Sequence, residues 1–323
     1  MSFSSFPIID LKADRSTIVQ SLLNACSTTG FFYLRNHNLH GAQERMFSLA
    51  EAYFRLPLAI KEQHLITPED RGYIRVGQEN LDSANIKQID EKEAFNIYTS
   101  DKSDQLPVLF AQPNNYKLIS DFQRACYDLC MELLMYLADS FEIDRDYFTS
   151  RHKWGPDSAD KLRLLHYPAT QKKIANAEHQ SIRAGAHSDY GSITLLFQHN
   201  QKGGLEVLDR LTNIWHPIEP YEDMIVVNFG DIFEYWSNGF IKSAVHRVVM
   251  PVEHLTGSNE RFSIAYFGFP NHTTLLSPIL SKVIADRAFE KDEHAKHVLV
   301  HNNERIITAG EHLRMRLNKT YKY

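Results

Sequence analysis

The residues best suited to do chemistry lie in the second half of the chain. His187 and Asp189 stand two apart in Ala186-His187-Ser188-Asp189-Tyr190-Gly191-Ser192. In an extended strand residues two apart point to the same face, so an imidazole and a carboxylate placed in this way can close on one metal ion. His246, in the β-rich run Ile241-Lys242-Ser243-Ala244-Val245-His246-Arg247-Val248-Val249, lies 246 − 189 = 57 residues further on and offers a third ligand. Two imidazoles and one carboxylate on one face of an octahedral ion leave up to three positions open, which suits a ferrous ion that must also take a co-substrate and dioxygen. The chain has 16 histidines, so spacing and strand context, rather than residue type alone, single these two out.

A second constellation is Arg261-Phe262-Ser263. The strand period puts the guanidinium and the hydroxyl on one face and Phe262 on the other. The planar fork of arginine gives a carboxylate two parallel charge-assisted hydrogen bonds. A molecule clamped there by one end while its 2-oxo acid group chelates a metal is a short dicarboxylate, and 2-oxoglutarate has that form. Tyr167, which closes the run Leu162 to Tyr167, is placed to add a phenol hydroxyl to the distal carboxylate. Parity puts Arg163 on the face of Tyr167, and Phe267 and Phe269 on the face of Arg261. With Tyr190 these are the candidate substrate contacts, and an arginine among aromatic rings suits a flat, polar heterocycle. Ordinary barrel filling accounts for the two Phe residues equally well.

These residues need a framework. From residue 161 onward short β-runs alternate with Gly, Asn and Pro: 162 to 167, 183 to 189, 192 to 198, 204 to 208, 214 to 218, 224 to 229, 240 to 250 and 261 to 269. Eight short strands with turn signals predict a jelly-roll or related barrel whose mouth can hold one ligand. The first half reads as scaffold. Pro7-Ile8-Ile9-Asp10-Leu11 is β-like, residues 14 to 29 have a helical period closed by Gly30, and Phe31-Phe32-Tyr33-Leu34 is a strand. Helix is predicted again over 41 to 55 and, with the strongest period, over 116 to 141. Residues 65 to 91, with Pro68, Gly72 and Gly77, read as a long loop near a site rather than a packed element, with Tyr73 and Arg75 its notable side chains. Lys92 to Tyr98 reads as a strand, and a helix from about Gly310 to Asn318 ends the chain with Leu313 and Leu317 spaced to pack back. The class is therefore α+β, with residues 1-155 a helical and strand scaffold and 156-323 the catalytic region, joined as one compact unit.

Composition narrows the function. Thirty-five basic and 40 acidic residues give a net charge of −5 without a run of five like charges, which argues against nucleic acid or a membrane surface and for a small-molecule partner. No apolar stretch approaches the ~20 residues of a membrane span. Met1 to Asp10 lacks a basic start and apolar core, which reads as a cytoplasmic location. Cys26, Cys126 and Cys130 read as buried small hydrophobes in a reducing compartment, without a redox or zinc role.

His187-Ser188-Asp189, His246 and Arg261-Phe262-Ser263, in that order, resemble the Fe(II)- and 2-oxoglutarate-dependent dioxygenases of the isopenicillin N synthase-like superfamily. Further matches are Pro7-Ile8-Ile9-Asp10, Gly30-Phe31-Phe32-Tyr33-Leu34-Arg35-Asn36-His37, Leu162-Arg163-Leu164-Leu165-His166-Tyr167-Pro168, Asn228-Phe229-Gly230-Asp231 and Trp236-Ser237-Asn238-Gly239. The run from Arg183 through Gln198 is similar to fungal members, thymine 7-hydroxylases among them. The resemblance implies a double-stranded β-helix wrapped by N-terminal helices, with Fe(II), 2-oxoglutarate and O2 used to oxidise, usually hydroxylate, a small molecule with release of succinate and CO2. Ascorbate is the accompanying candidate reductant. Where many relatives have Asn-Tyr-Tyr-Pro, this chain has Leu165-His166-Tyr167-Pro168, so a polar contact near the co-substrate is missing from the pattern. The alternatives are a 2-oxoglutarate-independent oxidase of the same fold, a zinc hydrolase using the same three ligands, and a non-catalytic ligand-binding protein.

Overall fold

The computed structural model describes residues 5–82, 89–155, 157–169, 182–200, 202–250, 260–285 and 306–320. Strand β1 (Ile8–Asp10) leads to Asp14, whose carboxylate accepts the Thr17 amide at 3.0 Å and so caps α1 (Arg15–Ser27). Helix α1 buries Ile18, Leu22, Ala25 and Cys26 along one stripe. Gly30 then turns the chain at φ +68°, where a Cβ would stand 2.1 Å from the Lys242 carbonyl oxygen. The result is β2 (Phe31–Arg35), paired parallel to β1.

Helices α2 (His40–Phe54) and the short α3 (Leu58–Lys61) come next, followed by strands β3 (Gly72–Ile74) and β4 (Glu93–Tyr98). After the short α4 (Val108–Ala111), Pro113 opens α5 (Pro113–Ser140), where its missing N–H costs nothing. Ile119, Phe122, Cys126, Leu129, Leu133 and Leu137 form the buried stripe of α5, and its two cysteines, like Cys26, are free thiols within that core. The second half supplies β5 (Lys161–Tyr167), β6 (Ile182–His187), β7 (Ile193–Gln198), β8 (Leu205–Asp209), β9 (Ile214–Ile218) and β10 (Met224–Phe229), then α6 (Asp231–Trp236), β11 (His246–Val249) and β12 (Arg261–Gly268). Helices α7 (Lys282–Ala285) and α8 (Ala309–Thr320) complete the described elements.

The strands form two sheets, β1-β2-β10-β7-β12-β5-β4-β3 and β6-β11-β8-β9, and apart from β1 with β2 every pair is antiparallel. This is the α+β jelly-roll core expected from the eight short β-runs. No described helix is long and apolar enough to cross a membrane.

Three expectations are corrected. Within residues 65 to 91, Gly72–Ile74 is a packed strand, with Tyr73 opposite Phe95 and only 1% exposed. Aromatic and β-branched side chains there outweigh the surrounding Pro, Gly and polar residues. Tyr73 is thus a core residue bonded to the Glu93 carboxylate, and Arg75 pairs with Glu62 at 2.6 Å; residues 83 to 88 of this stretch lie outside the described residues. The strand expected over 240 to 250 is only His246–Val249, because the amides of Ile241, Lys242 and Ser243 donate to Ser237 Oγ, the Cys26 carbonyl and the Glu234 carboxylate rather than to a neighbouring strand. Asp231–Trp236 is a helix that the β-rich texture concealed, with all six residues buried.

Two buried imidazoles make stability depend on pH. His152 sits between the Phe148 carbonyl and the Ser192 hydroxyl, each at 2.8 Å, and burial pushes its pKa down to about 4. Burial and the neighbouring His40 likewise lower that of His37 to about 4. The unfolded chain protonates both near their ordinary 6.5 while the folded chain keeps them neutral, so stability is complete above that value and falls as pH drops toward 4. Urea unfolding should show a lower midpoint at pH 5 than at pH 7.5, with a smaller decline in a His152→Gln variant; an equal decline would remove His152 as a contributor.

Candidate active site

Antiparallel pairing of β6 with β11 sets His187 directly across from His246, with ring centroids 4.3 Å apart. Asp189 arrives differently from expected. Strand β6 ends at His187, so the carboxylate belongs to the following turn rather than to the same strand face. That turn is held from behind, because the Asp189 carbonyl accepts the Asp231 amide at 2.8 Å and the Gly191 carbonyl accepts that of Ile232 at 3.1 Å. A Cβ at Gly230 would stand 2.4 Å from the Gly191 oxygen and 2.8 Å from the Asp189 oxygen, so the close approach of α6 to the turn requires glycine.

One ligand atom from each of His187, Asp189 and His246 falls within 4.8 Å of the others. The Asp189 Oδ1 lies 3.7 Å from His246 Nε2 and 4.0 Å from His187 Nε2, too far for hydrogen bonds but suited to a shared ion. The opposite ring nitrogens are engaged, His187 Nδ1 with the Gly185 carbonyl at 2.8 Å and His246 Nδ1 with the Ala244 carbonyl at 3.1 Å. Those contacts fix the tautomer that leaves each Nε2 as the free donor. Asp189 Oδ2 accepts Thr194 Oγ1 at 2.7 Å and Asn228 Nδ2 at 2.8 Å, which leaves Oδ1 for the metal side. Burial, reinforced by the adjacent His246, holds the His187 pKa well below the ordinary value, so the imidazole is neutral and able to ligate. Burial alone would raise the Asp189 pKa, but the two imidazoles and the Asn228 and Thr194 hydrogen bonds bring it below the ordinary carboxylate value. This donor set fits a ferrous ion.

On the facing sheet Arg261 pairs with Tyr167 across β12 and β5, its guanidinium 5.0 Å from the ring centroid. It donates to Ser263 Oγ at 3.2 Å, Gln198 Oε1 at 3.1 Å and the Lys202 carbonyl at 3.3 Å, and is 6% exposed. Among the described residues it has no carboxylate partner. A buried cation surrounded by neutral acceptors is prepared for an anion from outside the protein.

One cavity of about 120 Å³ is lined by the three ligand residues and by Arg261, Ser263 and Tyr167. Arg163, Tyr190, Phe267 and Phe269 also face it, so the structure brings every candidate site residue to one place. Leu165, which stands where the family resemblance would place an Asn, is an apolar part of the wall, whereas His166 faces away, stacked on Phe262 at 4.5 Å and bonded to Glu93 and Glu260. Helix α8 adds Leu313 and Leu317. Its Arg316 donates to the Ser188 carbonyl at 3.3 Å, pairs with Asp231 at 2.7 Å and lies 4.4 Å above the Tyr190 ring. The first half is more than scaffold, since Phe31, Glu79, Lys92 and Tyr98 reach the same cavity. Sequence reasoning passed over Thr194, Gln198, Glu79 and Lys92. Gln198 stands opposite Ser263 through the register of β7 with β12, which the period within either strand does not give, and nothing local marks the other three.

Residues 159–270 match the 2OG-Fe(II) oxygenase superfamily, and residues 6–117 match the N-terminal region of a family described as non-haem dioxygenase in morphine synthesis. The chain belongs to the 2OG-Fe(II) oxygenase superfamily. It is 31% identical to a proline hydroxylase of Petromyces alliaceus, over 95% of this chain and 94% of the relative. Identity to a 2-oxoglutarate-Fe(II) type oxidoreductase of Metarhizium rileyi is also 31%, over 80% and 77% of the two chains. The crystal structure of Neurospora crassa thymine 7-hydroxylase in complex with alpha-KG and thymine superposes with a TM-score of 0.79 at 31% identity, covering 98% of each chain. This oxygenase is therefore an Fe(II)- and 2-oxoglutarate-dependent enzyme that oxidises a small molecule, which sets aside the hydrolase, 2-oxoglutarate-independent oxidase and non-catalytic readings.

The hydrogen bond behind Asp189 can be tested directly. Asn228→Ala should weaken Mn(II) binding, measured by calorimetry, by about 10–100-fold, the usual cost of losing an outer partner of a metal ligand. Unchanged affinity would show that Asn228 does not orient the carboxylate.

Proposed function

We propose that His187, Asp189 and His246 hold the ferrous ion, that Arg261 and Ser263, with Tyr167, bind the distal carboxylate of 2-oxoglutarate, and that the oxygenase hydroxylates a small, uncharged ring compound of the pyrimidine type. The observation that carries this reading is the opening of three convergent candidate metal donors and one buried guanidinium, without a carboxylate partner among the described residues, into a single cavity. With iron and 2-oxoglutarate bound, the site would supply oxidation by O2, one oxygen atom entering succinate as 2-oxoglutarate loses CO2 and the other entering the substrate.

The chain's own residues bind, orient and exclude water. The two Nδ1 contacts and the Asn228 and Thr194 hydrogen bonds fix the three donors before metal arrives. The guanidinium of Arg261, held by Ser263 and Gln198, presents a planar fork to the dicarboxylate and sets its direction in the cavity. Leu165, Leu196, Ala265 and Val248 make the intervening wall apolar, which keeps water from the reacting centre. Tyr190, Phe267 and Phe269 offer ring faces to a flat substrate, and Arg163 offers a polar contact at its edge. Thymine in the superposed Neurospora enzyme supports a pyrimidine, while the proline hydroxylase among the relatives keeps amino-acid-like substrates as the second choice. In this reading residues 1-155 and 156-323 form one compact unit, and the enzyme works in the cytoplasm.

With Fe(II), ascorbate and 2-oxoglutarate, thymine or uracil should stimulate succinate release, and His246→Ala should abolish it. Arg261→Lys should raise the KM for 2-oxoglutarate at least about tenfold with a smaller change in kcat, since a bidentate partner becomes a point charge. Undiminished succinate release by His246→Ala would refute the ligand assignment, and an unchanged KM would refute the clamp.

A further inference from the structure

The cavity has two cationic ends, and among the described residues only one is neutralised. Arg261 is surrounded by Ser263, Gln198 and a backbone carbonyl. At the other end each cation has a carboxylate. Glu79 Oε2 accepts Arg163 at 2.7 Å and Lys92 at 2.8 Å, Asp90 Oδ2 accepts Lys92 at 2.7 Å, and Lys161 is bonded to Asp70. Glu79, Asp90, Lys92 and Arg163 are 3%, 1%, 3% and 7% exposed, so their charges interact through little water. Burial opposes the Lys92 charge, but Glu79 and Asp90 more than offset it and hold its pKa above the ordinary value.

The cluster is also fixed to the metal strand. Asp90 Oδ1 accepts the amide of Gly185, two residues before His187, and the Glu91 amide donates to the Arg183 carbonyl at 3.0 Å. A Cβ at Gly185 would meet Asp82 at 2.8 Å, so this segment lies directly against β6.

We propose that Glu79 is a specificity-determining residue: by neutralising Arg163 and, together with Asp90, Lys92, it makes the substrate end of the cavity take uncharged molecules that present N–H and C=O groups, and reject carboxylates, including a second 2-oxoglutarate. The physical reason is charge balance. An acid placed there adds a negative charge to a set already containing Glu79 and Asp90, whereas an amide or imide edge can donate to the Glu79 carboxylate and accept from Arg163 or Lys92 without changing the net charge. Identical guanidinium groups at Arg261 and Arg163 thus do opposite things because, among the described residues, only Arg163 has a counter-charge.

This inference deepens the pyrimidine reading and rests on it for the orientation of the substrate, yet its test needs binding only. Calorimetry on anaerobic protein loaded with Mn(II) and 2-oxoglutarate would compare uracil with orotate and nicotinamide with nicotinate. In the unaltered enzyme the neutral member of at least one pair should bind, and its acid at least about tenfold more weakly. Glu79→Gln should narrow that ratio by about tenfold or more, and Lys92→Met should widen it. Retained binding of the first 2-oxoglutarate would certify each variant as folded at the metal end. A ratio unmoved in both variants, or no binding by any neutral probe to protein that takes 2-oxoglutarate normally, would overturn the assignment of Glu79. A shifted ratio without uracil-dependent succinate release would leave the assignment standing and refute only the pyrimidine reading.

Discussion

The site depends on one cross-strand register, His187 of β6 opposite His246 of β11. A slip of one residue in that pairing would turn one imidazole to the outer face of the small sheet, and the donor set would be lost. The register is held on the other edge of β11 as well, where His246 stands opposite Val207 of β8. Asp189 is then added by the turn that α6 supports through Gly230 and the Asp231 amide. The three candidate metal donors therefore come from a strand end, a turn and a neighbouring strand that share one set of backbone hydrogen bonds.

The large sheet supplies the opposite wall. Strand β12 lies between β5 and β7, so Arg261, Tyr167, Ser263 and Gln198 are brought together by register alone. The helices contribute at the edges. Helix α8 reaches back over the Asp189 turn through Arg316, and its Leu313 and Leu317 close part of the cavity. Charge divides the same space, with a guanidinium that has no carboxylate partner among the described residues at one end and balanced ion pairs at the other.

Much of this arrangement was legible in the sequence because it obeys local periods. The period of two correctly placed Arg163 with Tyr167 and Arg261 with Ser263, and the helical period of α5 matched its buried stripe. The same reasoning misplaced Asp189 on a strand, because the stop of β6 at His187 is set by α6 packing behind the turn, a tertiary contact with no local signal. Tyr73 was read as a loop residue near the site because its neighbours are polar, although its ring lies in the core beside Phe95. Glu79 and Lys92 were passed over because an ion pair 84 residues from its partner, as with Glu79 and Arg163, leaves no pattern in a single chain. Long-range electrostatics was the part that spacing could not show.

The most direct test of the central claim is anomalous X-ray scattering at the iron edge from crystals grown anaerobically with Fe(II) and 2-oxoglutarate. The account predicts one iron peak bonded to Nε2 of His187, Nε2 of His246 and Oδ1 of Asp189, with 2-oxoglutarate reaching from it to Arg261. An iron peak elsewhere, or a dicarboxylate whose far end lies against Arg163 rather than Arg261, would contradict it.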